Sequence, residues 1–308
     1  MWDGATGYVS DRTVTIRMDK RKPNIPEDWA IQQWQNVVND SASARDVRLL
    51  KLKRIGKELS EPTPMEFGVY LAGCASLTVS SAKLALQEFA SSKIDEGWKL
   101  ISDALIYKLT EFKIKYALGF PCADPVVLNE ASLLLATSLA INSRDVGEWT
   151  AQFILETEAN PEFMLRPKEP NEFLCLCYLY AAEVCGSGSK KVWQNAIDEG
   201  FYSPLWNATS IEEAQEAIGA VAITRAKLCL ESLCDFPPFA LPPFNVFPVD
   251  ILAILLMQDF ENVEFDFGGL ESALCLPPVE LPWKKPTTVE RIEARVREKY
   301  DFPTVDWK

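Results

Sequence analysis

The stretch from Ser92 to Pro121 constrains the fold more than any other part of this chain. Large apolar side chains recur through it at steps of three and four residues, which places one wide apolar stripe along a helix. The stripe consists of Ile94, Trp98, Ile101, Leu105, Leu109, Phe112 and Tyr116. Ser92 is placed to cap this helix, and Gly119 with Pro121 ends it. The pattern predicts a helix of roughly 26 residues, about 39 Å long, on which the other helices pack.

Signals for further helices occur along most of the chain. Capping boxes or a cap followed by proline mark several helix starts. These starts are Thr63-Pro64, Asp124-Pro125, Ser210 and Thr287. Links as short as the one at Ser91 indicate antiparallel helical hairpins. Prolines are concentrated in two straps, residues 235–248 and 276–286, which cannot continue a helix. We therefore predict an all-α fold, a multi-helix array of antiparallel helical hairpins with proline-rich straps in the C-terminal third.

The N-terminal region sets the expected domain organisation. Residues 1–26 contain glycine and are basic towards their end, and only Thr13 to Met18 alternates like a short strand. Helical signals begin at Pro26. We predict an N-terminal arm over residues 1–26 and a single all-α domain over residues 27–308, with residue 122 as the place where a subdivision would fall.

A first helix is predicted to end near Asp40, and the second and third predicted helices differ in their surfaces. Residues 42–59 are polar and rich in Lys and Arg on the outer side. The apolar residues of this helix are Val47, Leu49, Leu50, Leu52 and Ile55. The next helix runs to about Ala90 and carries small residues in succession from Ala72 to Ser76. Such a patch allows another helix to approach closely.

Charge and composition exclude several classes of function. The 308 residues carry a net charge of -13, which argues against a nucleic-acid binder and disfavours an anionic membrane surface. The chain has no histidine, which excludes Ser-His-Asp and Cys-His nucleophile systems and histidine-bearing metal sites. Neither a phosphate-binding glycine loop nor a Cys-x-x-Cys pair occurs. The sequence therefore predicts no catalytic, cofactor-binding or metal-binding residues.

The cysteines and the first residues bear on cellular location. Most of the eight cysteines lie in apolar helical runs and are predicted to be reduced, buried side chains. The first residues lack a basic region followed by an apolar one, so we expect no signal peptide. No apolar run approaches the roughly 18 residues that a membrane span needs. We expect a cytoplasmic protein.

The acidic and aromatic segment from Asp259 to Glu271 is the candidate for a partner interface. Acids alternate there with apolar residues, so an extended backbone would present one acidic side and one aromatic side. The candidate interface residues are Asp259, Glu261, Glu264, Phe265, Asp266 and Glu271. In the functional interpretation the acids face a basic protein and phenylalanines anchor the contact. In the structural interpretation the segment is an edge strand or loop whose phenylalanines pack down. The sequence leaves both open.

Residues Asn245 to Met257, NVFPVDILAILLM, carry a family resemblance. A proline and an acidic residue open an apolar helix late in an otherwise helical chain. This phrase resembles the immunity proteins of bacterial polymorphic toxin systems, in particular the immunity protein 49 family. The apolar helices predicted over 126–141 and 173–185 are similar in general character to those of that family. The resemblance implies a non-enzymatic cytosolic protein that binds a cognate toxin and blocks its active site. Many such toxins are nucleases with basic clefts, which an acidic inhibitor would suit.

Three hypotheses about function are compatible with these features. The leading one is an all-α immunity protein whose partner is a cognate protein toxin, steered by acidic groups and held by buried aromatics. The alternative is a helical-repeat-like adaptor or scaffold that binds a peptide or protein partner in a groove lined by aromatic and polar side chains. The third is an enzyme that works without histidine, which requires a deep pocket holding converging carboxylates or Mg²⁺.

Overall fold

The computed structural model describes most of the chain between residues 43 and 300. The described residues are 35–36, 39, 43–61, 67–118, 125–141, 143–159, 172–186, 194–195, 197–231, 248–258, 260 and 284–300. The helices with defined ends are α1 (Ala44–Glu58), α2 (Phe67–Ala90), α3 (Ile94–Ala117), α4 (Pro125–Ala140), α5 (Arg144–Ala159), α6 (Glu172–Val184), α7 (Ser203–Trp206), α8 (Ile211–Glu231), α9 (Val249–Met257) and α10 (Thr287–Arg297). No strand occurs among these residues, so the predicted all-α fold class is confirmed for them. The predicted arm and most of both proline-rich straps lie outside them.

Helix α3 is the segment whose periodicity dominates the sequence, and this predicted helix is confirmed. It spans 24 residues and buries its stripe from Trp98 to Phe112. The predicted cap at Ser92 is wrong, because the N-cap position belongs to Lys93, which makes no side-chain cap hydrogen bond. Ser92 instead has a left-handed φ of 58°. Its N–H donates to Phe89 O and the Lys93 N–H donates to Glu88 O, both at 2.9 Å, so Ser92 ends α2 in a Schellman motif.

Helices α1, α2 and α3 pack as consecutive antiparallel hairpins. Near the start of α1, Arg48 donates to the Ser81 hydroxyl at 3.2 Å and pairs with Asp103 of α3 at 2.8 Å. Near its end, Ile55 lies against Gly73, where an added Cβ would come 2.6 Å from Ile55 Cδ1. The order of these contacts shows that α1 and α2 run in opposite directions. Gly73 lets the two helices approach closely, as the patch of small residues predicts.

Two hydrophobic clusters hold the helices together. The larger one contains buried side chains from α2 through α9. The smaller one joins α1, the first half of α2, one side of α3 and α10. Helices α2 and α3 contribute to both clusters, and α10 returns along the chain to contact α1 and α3. These two long helices therefore link the first hairpins to the rest of the described fold.

Helix α2 has the length and the apolar composition of a membrane-spanning helix. Its most apolar window has a mean hydropathy of 1.4, and 61% of that window is buried inside the fold. The prediction that no apolar run reaches this length applies to uninterrupted runs, whereas α2 reaches this hydropathy with polar residues interspersed. The packing of α2 between α1 and α3 is that of a core helix.

The starts of α8 and α10 test two predicted capping boxes. At α8 the Glu213 N–H donates to the Ser210 hydroxyl at 3.2 Å, and the Glu213 carboxylate accepts from the Thr209 N–H at 2.7 Å. This capping box is confirmed, although the return bond reaches Thr209 rather than Ser210. At α10 the predicted cap is wrong, since Thr287 is already helical and Pro286 occupies the N-cap position without a side-chain cap hydrogen bond. Pro286 has an extended ψ of 136°, so the helix begins one residue earlier than a cap at Thr287 would allow.

Candidate functional site

The predicted interface lies outside the residues that the structure describes. This holds for Asp259, Glu261, Glu264, Phe265, Asp266 and Glu271. Their neighbour Phe260 is described: its side chain is half-buried against the larger hydrophobic cluster, and its N–H donates to Leu255 O at 2.8 Å. One phenylalanine of the segment therefore packs inward, while the six candidate residues stay a prediction.

Asp250, the acidic residue of the NVFPVDILAILLM segment, is completely buried at the start of α9. The Nε of Arg225 on α8 donates to both carboxylate oxygens at 2.9 Å. The Tyr202 hydroxyl donates to Oδ2 at 2.6 Å. Burial and the nearby carboxylate raise the pKa of Tyr202 well above its ordinary value, so this hydroxyl keeps its proton. The three side chains lock α9 to α8 and to the residue preceding α7, which is a structural role.

A second buried charge cluster joins α10 to α3. The Glu293 carboxylate lies 2.7 Å from Lys285 Nζ, 3.4 Å from Arg297 Nη2 and 3.6 Å from Lys113 Nζ. Lys113 is 1% exposed and Glu293 is 2% exposed. Desolvation lowers the pKa of Lys113 to about 8, although the Glu293 charge opposes this change. The cluster anchors the C-terminal helix to the body of the fold.

A third charge network connects α3 and α4 on a half-buried surface. Lys108 Nζ lies 3.0 Å from the Glu111 carboxylate and 3.1 Å from that of Glu130. Lys115 Nζ lies 2.7 Å and 3.6 Å from the same two carboxylates. Both ammonium groups also lie over the Phe112 ring, 5.3 Å and 5.5 Å from its centroid. Two cations and two anions thus balance each other.

The described cysteines are not arranged for nucleophilic or metal chemistry. Cys74, Cys175 and Cys177 are buried thiols and Cys185 is exposed. Burial raises the pKa of all three buried thiols, that of Cys175 to about 11, so they are protonated at neutral pH. For these three, the prediction of reduced and buried side chains is confirmed. No group of three or more potential metal ligands occurs in the described part of the chain.

The exposed side of α1 combines large apolar side chains with cations. Val47, Leu49 and Leu50 are 39%, 50% and 65% exposed. Helix α1 carries six Lys or Arg residues against two Asp or Glu, whereas the whole chain has a net charge of -13. Lys51, Lys53 and Arg54 form no ion pair with any described residue. We call the following residues the α1 face: Arg45, Val47, Leu49, Leu50, Lys51, Lys53, Arg54 and Lys57.

Sequence reasoning missed the α1 face because it treated the apolar residues of this helix as one set. Of the five apolar residues between 47 and 55, only Ile55 is buried. At 100° per residue, Ala44, Arg48 and Ile55 point the same way, and they form the side that packs on α2 and α3. Leu49 and Leu50 each point more than about 100° away from this packed side, one in each direction around the helix. A helical wheel would have shown that one neighbouring surface cannot cover all five.

A groove runs between α1 and α2 beside the α1 face. It contains two hollows of about 390 Å³ and 280 Å³. The first is lined by Ser43, Ala44, Val47, Ala75, Ser76, Val79, Ser80 and Lys83. The second is lined by Lys51, Arg54, Ile55, Gly68, Val69, Ala72 and Gly73. A further hollow of about 310 Å³ near α4, α5 and α9 includes one acid, Glu148. None of these three hollows brings together two carboxylates of the described residues.

Comparisons with known proteins returned no match. No family model matches the chain, and neither the curated proteins nor the solved structures contain a significant match. The resemblance of residues 245–257 to immunity proteins therefore stays a hypothesis.

Proposed function

We propose that this protein is a non-enzymatic immunity protein that binds a cognate bacterial toxin and occludes it. The resemblance of residues Asn245 to Met257 points to the class of immunity proteins. The α1 face is the observation that supports binding of a protein partner. Three large apolar side chains stand exposed there among cations. Burying the exposed parts of these side chains against a partner would stabilise a complex by roughly 1 kcal/mol each.

The charges of the protein indicate how the two partners would meet. The cations of the α1 face would attract an acidic patch on the toxin, and Leu49 and Leu50 would then be buried at the contact. The predicted acidic segment from Asp259 to Glu271 suits a different part of the toxin, a basic cleft. In this mechanism the bulk of the helical body excludes the substrate from the toxin.

An adaptor that binds a peptide or protein segment is the second candidate function, and the groove between α1 and α2 favours it. The groove differs from the one expected for an adaptor, because the described residues that line it are small, apolar or cationic and none of them is aromatic. An adaptor would bind its partner without blocking the partner's activity, whereas an immunity protein would abolish the activity of the toxin that it binds.

The proposal is tested by capture followed by reconstitution. The tagged protein is purified from its native source, each co-purifying toxin domain is produced separately, and the complex is assembled from pure components. We expect a one-to-one complex by native mass spectrometry and loss of toxin activity at equal molar ratio. A toxin that stays active in the complex would favour the adaptor, and the absence of any toxin partner would refute the immunity function.

A matched pair of variants tests the role of the α1 face. Leu49→Asp combined with Leu50→Asp should weaken the complex by at least about tenfold, because both side chains lie at the proposed contact. The melting temperature should change little, since both residues are exposed. Ile211→Asp on α8 is the control, because Ile211 is also an exposed apolar residue, at 39%. Unchanged binding by the double variant would place the contact elsewhere.

A further inference from the structure

We infer that the groove between α1 and α2 binds an acidic amphipathic helix presented by the partner protein. This inference rests on the proposed function, in that it assumes a protein partner at the α1 face. It adds the class of structure that the partner inserts, from the shape of the groove and from the charges along it.

The shape of the groove fits a helix. On the α2 side, exposed or half-exposed residues recur at steps of three and four: Gly68, Ala72, Ser76, Val79 and Lys83. This line spans 16 residues of α2, and its two ends lie about 22 Å apart at a rise of 1.5 Å per residue. Most of its side chains are small, so the backbone of a further helix can approach closely. A partner helix of about four turns fills this length.

The lining of the groove defines the chemistry of that helix. Val47 and Val79 provide apolar contacts across the groove, which calls for an apolar stripe on the ligand. Lys51 and Arg54 stand on the α1 side, and Lys83 stands at the far end on α2. Among the described residues, no Asp or Glu lines either hollow. A helix with acidic residues beside its apolar stripe therefore matches the groove, and a basic helix would be repelled.

Leu50 extends the apolar surface at the rim. It lies three residues after Val47 and four before Arg54, so it shares their side of α1. A helix seated in the groove would cover Leu50 with its outer edge. The groove and part of the α1 face thus form one continuous contact surface.

The first test uses two designed helical peptides of about 15 residues with the full-length protein. Both carry leucines at positions i, i+3, i+4 and i+7, and the flanking positions are glutamate in one peptide and lysine in the other. Fluorescence anisotropy should show saturable binding of the glutamate peptide and at least about tenfold weaker binding of the lysine peptide. Equal binding of the two peptides, or binding of neither, would overturn the inference.

Charge-reversal variants show whether the peptide occupies the groove. Lys51→Glu combined with Arg54→Glu should reverse the preference, so that the lysine peptide binds more tightly. The control is Lys53→Glu, which alters a residue of α1 that does not line either hollow. It should leave the preference unchanged. Loss of preference in the control as well would show that the net charge of α1 acts without the groove.

A crosslinking experiment identifies the natural occupant. A photo-crosslinking amino acid replaces Ser76 in the full chain, and the products with and without the cognate toxin are sequenced by mass spectrometry. A crosslink to an acidic helix of the toxin supports the inference. A crosslink to residues of the same chain before Ser43, or to a second copy, overturns it. If the toxin binds elsewhere, the proposed function holds and this inference fails; if no toxin binds, the proposed function fails whatever the peptides show.

Discussion

Replacing Lys113 by methionine should change the way in which stability depends on pH. Burial lowers the pKa of Lys113 from 10.5 to about 8 in the folded protein, and unfolding restores the ordinary value. Between these two pKa values the unfolded state binds more protons than the folded state, so the contribution of Lys113 to stability rises with pH. From pH 7 to about pH 9.5 this contribution amounts to about 2 kcal/mol, and Lys113→Met abolishes it.

The structure also indicates what Lys113→Met does at neutral pH. Methionine has nearly the length of the lysine stem, and Glu293 keeps its contacts with Lys285 and Arg297. Because desolvation outweighs the attraction of Glu293 for Lys113, the charged lysine costs stability at pH 7. We therefore expect the variant to be at least as stable as the wild type at pH 7. As the pH rises, the unfolding free energy of the wild type should increase relative to that of the variant.

Urea unfolding followed by circular dichroism measures this effect. The unfolding free energies of the wild type and of Lys113→Met are compared at several pH values between about 7 and 9.5. Lys57→Met is the control, because Lys57 is an exposed lysine whose side chain is 79% accessible. A free-energy difference that stays constant with pH, or that moves in favour of the variant, would refute the argument from desolvation.

Two further pairs of substitutions test other contacts in the core. Asp250→Asn leaves a buried guanidinium without its carboxylate and should lower the unfolding free energy by about 3–5 kcal/mol, whereas Tyr202→Phe removes one hydrogen bond to a charged group and should cost about 1.5–3 kcal/mol. Urea unfolding at pH 7 measures both, and equal losses would contradict the importance of the charge. Gly97→Ala places a Cβ in steric overlap with the ring edge of the buried Phe89 and should destabilise by about 1–3 kcal/mol, whereas Gly219→Ala meets nothing within 4 Å and should stabilise by about 0.5–1 kcal/mol. Thermal melts check this pair, and a Gly97→Ala variant as stable as the wild type would mean that the ring moves aside freely.

The helices could be predicted from the sequence because their signals are local. The apolar stripe of α3 is a property of 24 consecutive residues, and the structure places the helix where the stripe lies. The starts at Ser92 and Thr287 were predicted wrongly for a related reason. A serine or threonine before a helix caps it only if its backbone is extended, and the link decides that. Ser92 has a left-handed backbone and ends α2 instead of capping α3. Before α10, the residue with the extended backbone is Pro286 and not Thr287.

The buried charges and the α1 face could not be predicted, because they depend on contacts between distant parts of the chain. Asp250 meets Arg225 and Tyr202, which lie 25 and 48 residues away. The sequence shows that Asp250 lies at the start of an apolar helix, but it does not show that the Arg225 guanidinium lies beside it. The exposure of Leu49 and Leu50 likewise depends on which side of α1 the other helices cover.

The distribution of charge supports the proposed partner contact at the α1 face over a role in solubility. The buried or half-buried cations Lys108, Lys113 and Arg225 each lie beside carboxylates, which offset at least part of the cost of removing them from water. The chain as a whole keeps a net charge of -13, which is ample for solubility. Solubility therefore does not require a cationic helix, and it is opposed by the exposed Leu49 and Leu50 among those cations. A binding surface accounts for both features, because cations attract an acidic partner and leucines hold it.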